Sequence, residues 1–159
     1  MYPLFLDLKN RLVVVVGAGP VGRRKIAGLL ACGARVRVVC LESASTQGVE
    51  WLSEPYRESH LTGATLVFAA ATTDVSAQVV RDARRLGVLV CNASDGTDSD
   101  FQTPAVFRSG PITVAVSTSG QAPSVAAALR DHLAQTIGPE WIEKVIRAGN
   151  VSDDSELKT

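Results

Sequence analysis

The sequence predicts an α/β protein with a Rossmann-type, doubly wound parallel sheet, followed by a short β-hairpin and helical segment. Three observations in the 159 residues carry this prediction. Apolar runs rich in β-branched residues are typical of strands buried on both faces, as in parallel sheets. Segments with helical spacing alternate with these runs. A glycine-rich turn directly follows the first run and opens the first helix.

The first half of the chain supplies the alternating elements. Strands are expected at 12–16, 35–40, 64–70 and 87–91, with a short edge strand at 4–8 that ends in a turn at 9–10. Helices are expected at 21–31, weakly at 45–53, and at 75–85. Gly33 ends the first helix, and Asp74 is expected to cap the last of the three.

The pattern changes after the fourth strand. A polar loop covers 92–100, and two strands within 105–117 are joined by a turn at Gly110-Pro111. Pro123 suits the first turn of a helix that runs to about residue 137, and Pro139 starts another that runs to about residue 148. We therefore predict a dinucleotide-binding domain at 1–107, a dimerisation and substrate-edge segment at 108–150, and a frayed tail at 151–159.

Composition excludes several classes of protein. Sixteen basic residues balance sixteen acidic ones, so the chain lacks the electrostatic signature of nucleic-acid binding. The N-terminus lacks the pattern of a signal peptide, and no apolar run reaches the roughly 18 residues of a membrane span. Cys32, Cys40 and Cys91 form no metal-ligand pattern and are expected to be buried structural thiols. These features favour a cytoplasmic protein that binds neither membrane nor nucleic acid.

The turn after the first strand is a G-x-G-x-x-G motif. Gly17 permits the tight turn, Gly19 lets the backbone approach a pyrophosphate, and Gly22 lets helix and strand pack closely. With Pro20 and Val21, the motif opens a helix whose free N–H groups favour an anion. Because the motif lies between a strand and a helix, it predicts a dinucleotide site. A glycine-rich turn without a ligand is the alternative.

Two further strand ends add candidate cofactor ligands. Leu41 and Glu42 follow the second strand, and Glu42 comes 20 residues after the last glycine of the motif. An acid there can accept hydrogen bonds from ribose hydroxyls, which favours NAD over NADP. Glu42 as a solvated loop carboxylate is the alternative. Arg35 and Arg37 lie within the strand, which disfavours a 2′-phosphate site. Thr72, after the third strand, is placed to hydrogen-bond the cofactor.

Several other motifs carry a family resemblance. They are Tyr2-Pro3-Leu4-Phe5-Leu6-Asp7-Leu8, Arg24-Lys25, Ala70-Ala71-Thr72, Cys91-Asn92, Phe101, Pro104-Ala105 and the stretch from Gly110 to Gly120. Together with the glycine motif, they make the chain resemble the precorrin-2 dehydrogenase and sirohydrochlorin ferrochelatase family, which includes the N-terminal module of siroheme synthase. The resemblance covers residues 2 to 137.

The resemblance implies oxidation of precorrin-2 to sirohydrochlorin with NAD as hydride acceptor. It also implies a homodimer, with which the apolar run 112–116 and the face formed by Val125, Ala128 and Leu129 are consistent. In some members the same site also inserts ferrous iron. The family continues for several tens of residues past the helix at Pro123, whereas about twenty follow residue 137 here. We therefore expect dehydrogenase activity without strong chelatase activity.

The family's key carboxylate lies in an Asn-x-x-Asp stretch, which maps its catalytic role to Asp95 and places Asn92 at the substrate. The residues themselves agree in part. Asp95 follows a central strand and is placed to take the proton lost as hydride leaves. Partial burial beside the cofactor would tune its pKa. An ordinary turn residue is the alternative.

A second polar loop is expected at the edge of the substrate site. It comprises Ser117, Thr118, Ser119 and Gly120. Hydroxyls and free N–H groups at a helix start suit the carboxylates of a tetrapyrrole. Simple helix capping is the alternative for this loop.

Three rival functions differ from the main prediction in the residues they need. A non-enzymatic NAD-sensing regulatory domain needs the glycine motif and Glu42 but not Asp95. A dehydrogenase for another small substrate is disfavoured, because the sequence offers no catalytic histidine or Tyr-Lys pair. A chelatase without dehydrogenase activity needs no NAD binding.

Overall fold

The computed structural model describes the backbone of residues 1–153 and the side chains of residues 1–149. The chain divides into two compact units, the first spanning Met1–Gln102 and the second beginning at Thr103. The domain boundary predicted after residue 107 falls inside a strand of the second unit, Ala105–Ser109. Residues 154–159 of the predicted tail lie outside the described residues.

The first unit is a five-stranded parallel sheet with the strand order β3-β2-β1-β4-β5. The strands are β1 Leu12–Val16, β2 Arg35–Cys40, β3 Val49–Ser53, β4 Leu66–Ala69 and β5 Leu89–Asn92. The helices are α1 Pro20–Ala31 and α2 Thr73–Leu86. This architecture confirms the predicted Rossmann-type fold, in which the order of strands reverses beside β1.

Two apolar cores flank the sheet because successive side chains of β1 point to opposite faces. Val13 and Val15 pack in one core with Ile26 of α1. Val14 and Val16 pack in the other, which contains residues of α2 such as Val79. No side chain of β1 is more than 9% exposed. Helices on both faces explain why the sequence of β1 is a continuous apolar run, as predicted.

The prediction of a weak helix at 45–53 was wrong. Gly48 adopts a φ of +79°, and β3 begins at the next residue. There it pairs with β2 in parallel, with Val36 opposite Val49 and Cys40 opposite Ser53. The pairing covers an edge of β2 that would otherwise present unpaired backbone groups. This backbone pairing is a tertiary contact, and it outweighs the weak local helical signal.

Other local predictions also need correction. Residues 1–8 form no strand, although the turn at 9–10 is present, with Asn10 at a φ of +61°. The N-cap of α2 is Thr72 rather than Asp74, which lies in the first turn. Among the cysteines, Cys91 is buried as predicted, but Cys32 is exposed because it lies just past the end of α1.

The second unit holds a two-stranded antiparallel hairpin and two helices. They are β6 Ala105–Ser109, β7 Ile112–Val116, α3 Pro123–Thr136 and α4 Pro139–Asp153. Ser109 pairs with Ile112 across a tight turn in which Gly110 has a φ of +52°. The hairpin and α3 confirm the predicted elements. α4 continues beyond the predicted end at residue 148, through the first residues of the predicted tail.

No helix in the described part of the chain is both long and apolar enough to span a membrane.

Candidate functional site

A cavity of about 510 Å³ opens at the carboxyl edge of the parallel sheet. Its walls come from the ends of four neighbouring strands and from α2, namely residues 16–19, 39–42, 54–56 and 70–72 with Val75 and Gln78. The cavity lies where the chain leaves β1 towards β2 on one side while β4 lies on the other. Open α/β sheets bind their ligands at this kind of switch point.

Gly17 and Gly19 of the glycine motif line the cavity, whereas Gly22 lies outside its wall, and each glycine meets a different constraint. Gly17 has a φ of +95°, and an added Cβ would lie 2.3 Å from the carbonyl oxygen of Ala70. At Gly22 an added Cβ would lie 2.1 Å from the carbonyl oxygen of Gly17. Gly19 has no atom within 4 Å of an added Cβ, because that position faces open space. Gly17 and Gly22 are therefore needed by the fold, and Gly19 keeps the cavity open.

The same segment fits the pyrophosphate of a dinucleotide. Gly19 is the N-cap of α1, has no side-chain capping bond and lines the cavity. Pro20 occupies the first helical position and has no N–H group, so the amides of Val21 and Gly22 are the next ones in the first turn. A helix N-terminus of this kind binds anions through its amides and its dipole. The predicted residues of the motif thus come together at one end of α1.

Replacing Gly19 by alanine is expected to abolish dinucleotide binding while leaving stability within about 0.5 kcal/mol of wild type. The new methyl group meets no protein atom, but it lies where a pyrophosphate approaches the backbone. Titration calorimetry with NAD⁺ and urea denaturation measure the two effects. Gly28→Ala in α1 is the matched control, because its Cβ also meets nothing and it should bind NAD⁺ normally. Unchanged NAD⁺ affinity in Gly19→Ala would contradict this placement of the pyrophosphate.

The end of β2 is fixed by one hydrogen bond from β3 and one from β2 itself. The carbonyl oxygen of Glu42 accepts hydrogen bonds from the Trp51 indole N–H at 2.9 Å and from the Cys40 thiol at 3.1 Å. These bonds hold the backbone while the Glu42 side chain stays exposed at the cavity. Leu41 is 76% exposed and also lines the cavity, which suits contact with a flat apolar group. The ribose and base contacts of these residues stay predictions.

Thr72 lines the cavity at the end of β4, as the sequence suggested. Its carbonyl oxygen accepts the N–H of Ser76 at 2.8 Å, while its side chain makes no capping bond to α2. The hydroxyl therefore does not cap the helix, and its predicted hydrogen bond to the cofactor stays a prediction.

The cavity residues that follow β3 were not predicted from the sequence. Glu54, Pro55 and Tyr56 line the cavity, but the expected helix at 45–53 hid the strand end that places them there. Val49 and Trp51 on either side of polar Glu50 were a weak strand signal in a segment with helical composition. Burial raises the pKa of the Tyr56 phenol, so it is protonated at neutral pH.

Asp95 lies in the loop after β5 and is exposed. Its Oδ1 accepts hydrogen bonds from the Thr97 hydroxyl at 2.6 Å and from the Thr97 N–H at 2.9 Å, so it caps a short 3-10 turn, Gly96–Asp98. These bonds hold the pKa of Asp95 below its usual range. The expectation that partial burial tunes this pKa was wrong, because hydrogen bonding on an exposed group dominates. Asp95 does not belong to the cavity wall described above.

The loop that carries Asp95 is held by hydrogen bonds to Asn92 and by ion pairs with Arg84 of α2. Asn92 is 7% exposed, and its Oδ1 accepts the N–H groups of Ser94 and Asp95 at 3.0 and 3.3 Å. Arg84 of α2 pairs with Asp98 at 2.7 Å and with Asp100 at 3.3 Å. Asn92 therefore positions the loop, and its predicted contact with substrate stays a prediction.

Replacing Thr97 by valine is expected to raise the pKa of Asp95 towards the ordinary value of about 3.9. The hydroxyl bond is the largest cause of the depression, and the backbone bond remains in the variant. Since the folded-state pKa is depressed, Asp95 stabilises the fold above its unfolded pKa and loses this effect as pH falls through the folded value. Carboxyl NMR titration measures the shift. Thr97→Ser keeps the hydroxyl and should keep the low pKa; an equal rise in both variants would contradict the assignment.

The polar loop predicted at the substrate lies in the second unit and is shaped by its own side chains. Ser117 Oγ accepts the N–H of Ser119 at 3.1 Å, and Thr118 Oγ1 accepts the N–H of Ala122 at 3.1 Å. Ser119 and Gly120 adopt positive φ values of 54° and 79°. The Thr118 bond leads the chain into α3, in keeping with the capping alternative. Substrate binding by residues 117–120 stays a prediction.

A family described as putative NAD(P)-binding matches residues 4–105. The chain belongs to this family. A second family, described as sirohaem biosynthesis protein central, matches residues 109–136. This match agrees with the cavity at the glycine motif. It confirms the prediction that the cofactor is a nicotinamide dinucleotide.

Curated relatives of this NAD(P)-binding chain are siroheme synthases. Siroheme synthase 1 of Serratia proteamaculans is 39% identical over 139 residues, which cover 82% of this chain and 29% of the relative. Siroheme synthase of Photobacterium profundum is 37% identical over 157 residues, which cover 93% of this chain and 33% of the relative. The chain thus spans about a third of the length of these curated relatives.

A solved structure of SirC, precorrin-2 dehydrogenase, is also similar. It aligns with a TM-score of 0.76 and 27% sequence identity, over 90% of this chain and 74% of that chain. These comparisons confirm the family resemblance found in the sequence and the predicted fold class.

Proposed function

We propose that this chain catalyses the NAD-dependent oxidation of precorrin-2 to sirohydrochlorin in siroheme biosynthesis. The observation that carries the proposal is the likeness to SirC, precorrin-2 dehydrogenase, over 90% of this chain. The sirohaem biosynthesis match at 109–136 follows the NAD(P)-binding match at 4–105, so a dinucleotide-binding part is joined to a part similar to sirohaem biosynthesis proteins. An isolated NAD-sensing domain would need only the first match.

The cofactor's contribution, when bound, is to accept a hydride from the substrate. The chain's own residues hold it through the amides at the start of α1 and through the acid at the end of β2. Glu42 supports NAD over NADP, because a carboxylate accepts hydrogen bonds from the ribose hydroxyls and repels a 2′-phosphate. Thr72 faces the same cavity from the other side of β1.

The proton that leaves the substrate goes, in this proposal, to Asp95. Asp95 is a carboxylate at neutral pH, which is the state that a proton acceptor needs, and its depressed pKa makes it a weaker base than an ordinary aspartate. Because Thr97 fixes Oδ1, the carboxylate has one defined orientation on an exposed loop. A group with a low pKa also releases the accepted proton readily to water.

Anaerobic incubation of the purified chain with precorrin-2 and NAD⁺ tests the proposal. Absorbance follows the appearance of sirohydrochlorin, and we expect conversion that requires NAD⁺. No conversion by protein that binds NAD⁺ would overturn the enzymatic assignment and favour the sensor alternative. Metal insertion into sirohydrochlorin by protein that binds no NAD⁺ would favour a chelatase instead.

We also propose that two copies of the chain associate through the second unit. α3 exposes Val125 and Leu129, which are 57% and 46% exposed, and α4 exposes Trp141 and Ile146, which are 49% and 52% exposed. Apolar patches of this kind mark interaction surfaces. Sedimentation equilibrium should show a dimer, and Leu129→Glu should shift it towards monomer. A wild-type chain that stays monomeric at micromolar concentration would contradict the proposal.

A cytoplasmic location is proposed as well. It is supported by the thiols of Cys40 and Cys91, which a reducing compartment preserves, and by the bacterial siroheme synthases among the relatives. Fractionation of expressing cells tests it.

A further inference from the structure

Glu54 lies beside the end of β2 that is predicted to bind the cofactor. Cys40 pairs with Ser53 in the parallel register of β2 and β3, so Leu41 and Glu54 are the next residues along the two strands. Both line the same cavity, together with Glu42. Two carboxylates therefore border the end of the cavity where the second strand of a Rossmann fold meets the adenosine ribose.

The Glu54 carboxylate is held in place by two neighbours. His60 is 6% exposed, and its Nδ1 accepts the N–H of Arg57 at 3.0 Å. This bond assigns the proton to Nε2, which donates to Glu54 Oε1 at 2.9 Å. The Arg57 guanidinium pairs with the other carboxylate oxygen. These bonds lower the pKa of Glu54, with the His60 bond as the largest cause, so the side chain is anionic at neutral pH.

The arginines next to this carboxylate are already engaged with acids. Arg57 pairs with Glu54 itself. Arg37, on β2, pairs with Glu50 at 3.0 Å and donates to the His60 carbonyl oxygen at 2.9 Å. A 2′-phosphate carries nearly two negative charges and needs an available arginine for a bidentate contact. Arg37 and Glu50 are not part of the cavity wall. The Arg57 ion pair therefore leaves the edge of the cavity dominated by the carboxylates of Glu42 and Glu54.

We propose that Glu54 is a second cofactor-selecting residue, which excludes the 2′-phosphate of NADP by its own charge and by keeping Arg57 in an ion pair. His60 is the positioning residue that fixes the carboxylate. This inference rests on the proposed use of NAD, and it adds a residue to the selection that sequence analysis assigned to Glu42 alone. A purely structural Glu54 would anchor Arg57 and His60 without affecting the choice of cofactor.

Glu54→Gln tests the inference by direct binding of NAD⁺ and NADP⁺, measured by titration calorimetry on the full chain. The amide keeps an oxygen for the His60 bond while it removes the charge and releases Arg57. We expect the affinity for NADP⁺ to rise about tenfold, and the affinity for NAD⁺ to change less than about threefold. In Glu54→Gln/Arg57→Ala most of the gain for NADP⁺ should disappear.

Glu50→Gln is the matched control, because Glu50 lies on β3 and pairs with Arg37, and neither of these residues is part of the cavity wall. Its ratio of NAD⁺ to NADP⁺ affinity should equal that of wild type. An unchanged ratio in Glu54→Gln would overturn the inference, as would a wild-type chain that prefers NADP⁺ or binds neither dinucleotide. Selective NAD⁺ binding without oxidation of precorrin-2 would sink the proposed function and leave the role of Glu54 standing.

Discussion

Replacing Asp95 by asparagine is expected to lower the rate of precorrin-2 oxidation by about 10²–10⁴-fold, the usual contribution of a positioned proton acceptor. The amide oxygen can still accept both bonds from Thr97, so the 3-10 turn should keep its shape. What the variant loses is the negative charge and the capacity to take a proton. Initial rates with saturating NAD⁺, measured anaerobically, give the effect on kcat.

The control for this variant lies in the same turn. Asp98→Asn removes a neighbouring carboxylate whose partner is Arg84, and its amide oxygen can still accept that bond. It should keep a rate close to wild type. NAD⁺ affinity should be unchanged in both variants, because neither residue lines the cavity. Equal rates in wild type and Asp95→Asn would show that Asp95 is only the cap of its turn.

The second large effect is expected for Gly17→Ala, which should lower the free energy of unfolding by about 3–5 kcal/mol. Two costs add at this position. The φ of +95° is strained for any residue with a Cβ, and the new Cβ would lie 2.3 Å from the carbonyl oxygen of Ala70. Because that atom belongs to the backbone at the end of β4, the turn and the strand must move apart. Urea denaturation followed by circular dichroism measures the loss.

Gly63→Ala separates the two costs. Gly63 has a φ of +75°, but an added Cβ meets no atom within 4 Å, so only the backbone strain remains. The expected loss is about 1 kcal/mol. If Gly17→Ala were no more destabilising than Gly63→Ala, the close approach of the glycine turn to the end of β4 would be refuted.

How far the sequence predicted this protein depends on how local each signal is. The run of Val13 to Val16 predicted a strand buried on both faces, and the structure places one apolar core on each side of it. The weak helix at 45–53 failed because β3 exists through its pairing with β2, a contact between distant parts of the chain. Local propensity carries little information about such pairing.

The residues of the candidate site also differ in whether a local sequence signal marks them. Gly17, Gly19 and Glu42 were found by their spacing from β1, and all three line the cavity. Asp95 was identified through the family resemblance. Its pKa shift comes from hydrogen bonds with Thr97 on an exposed side chain, rather than from the partial burial that was expected. Glu54 was missed, since its position follows from the register of β3.

The sequence by itself determined the parallel sheet and its glycine turn. Buried strands and tight turns leave their mark in consecutive residues, as hydrophobic runs and as glycines where a side chain has no room. Only the tertiary structure decided which charges meet at the cavity. The cluster of Glu54, Arg57 and His60 depends on pairing between β2 and β3 and on the burial of one histidine. Such contacts are set by packing, so the order of residues alone does not reveal them.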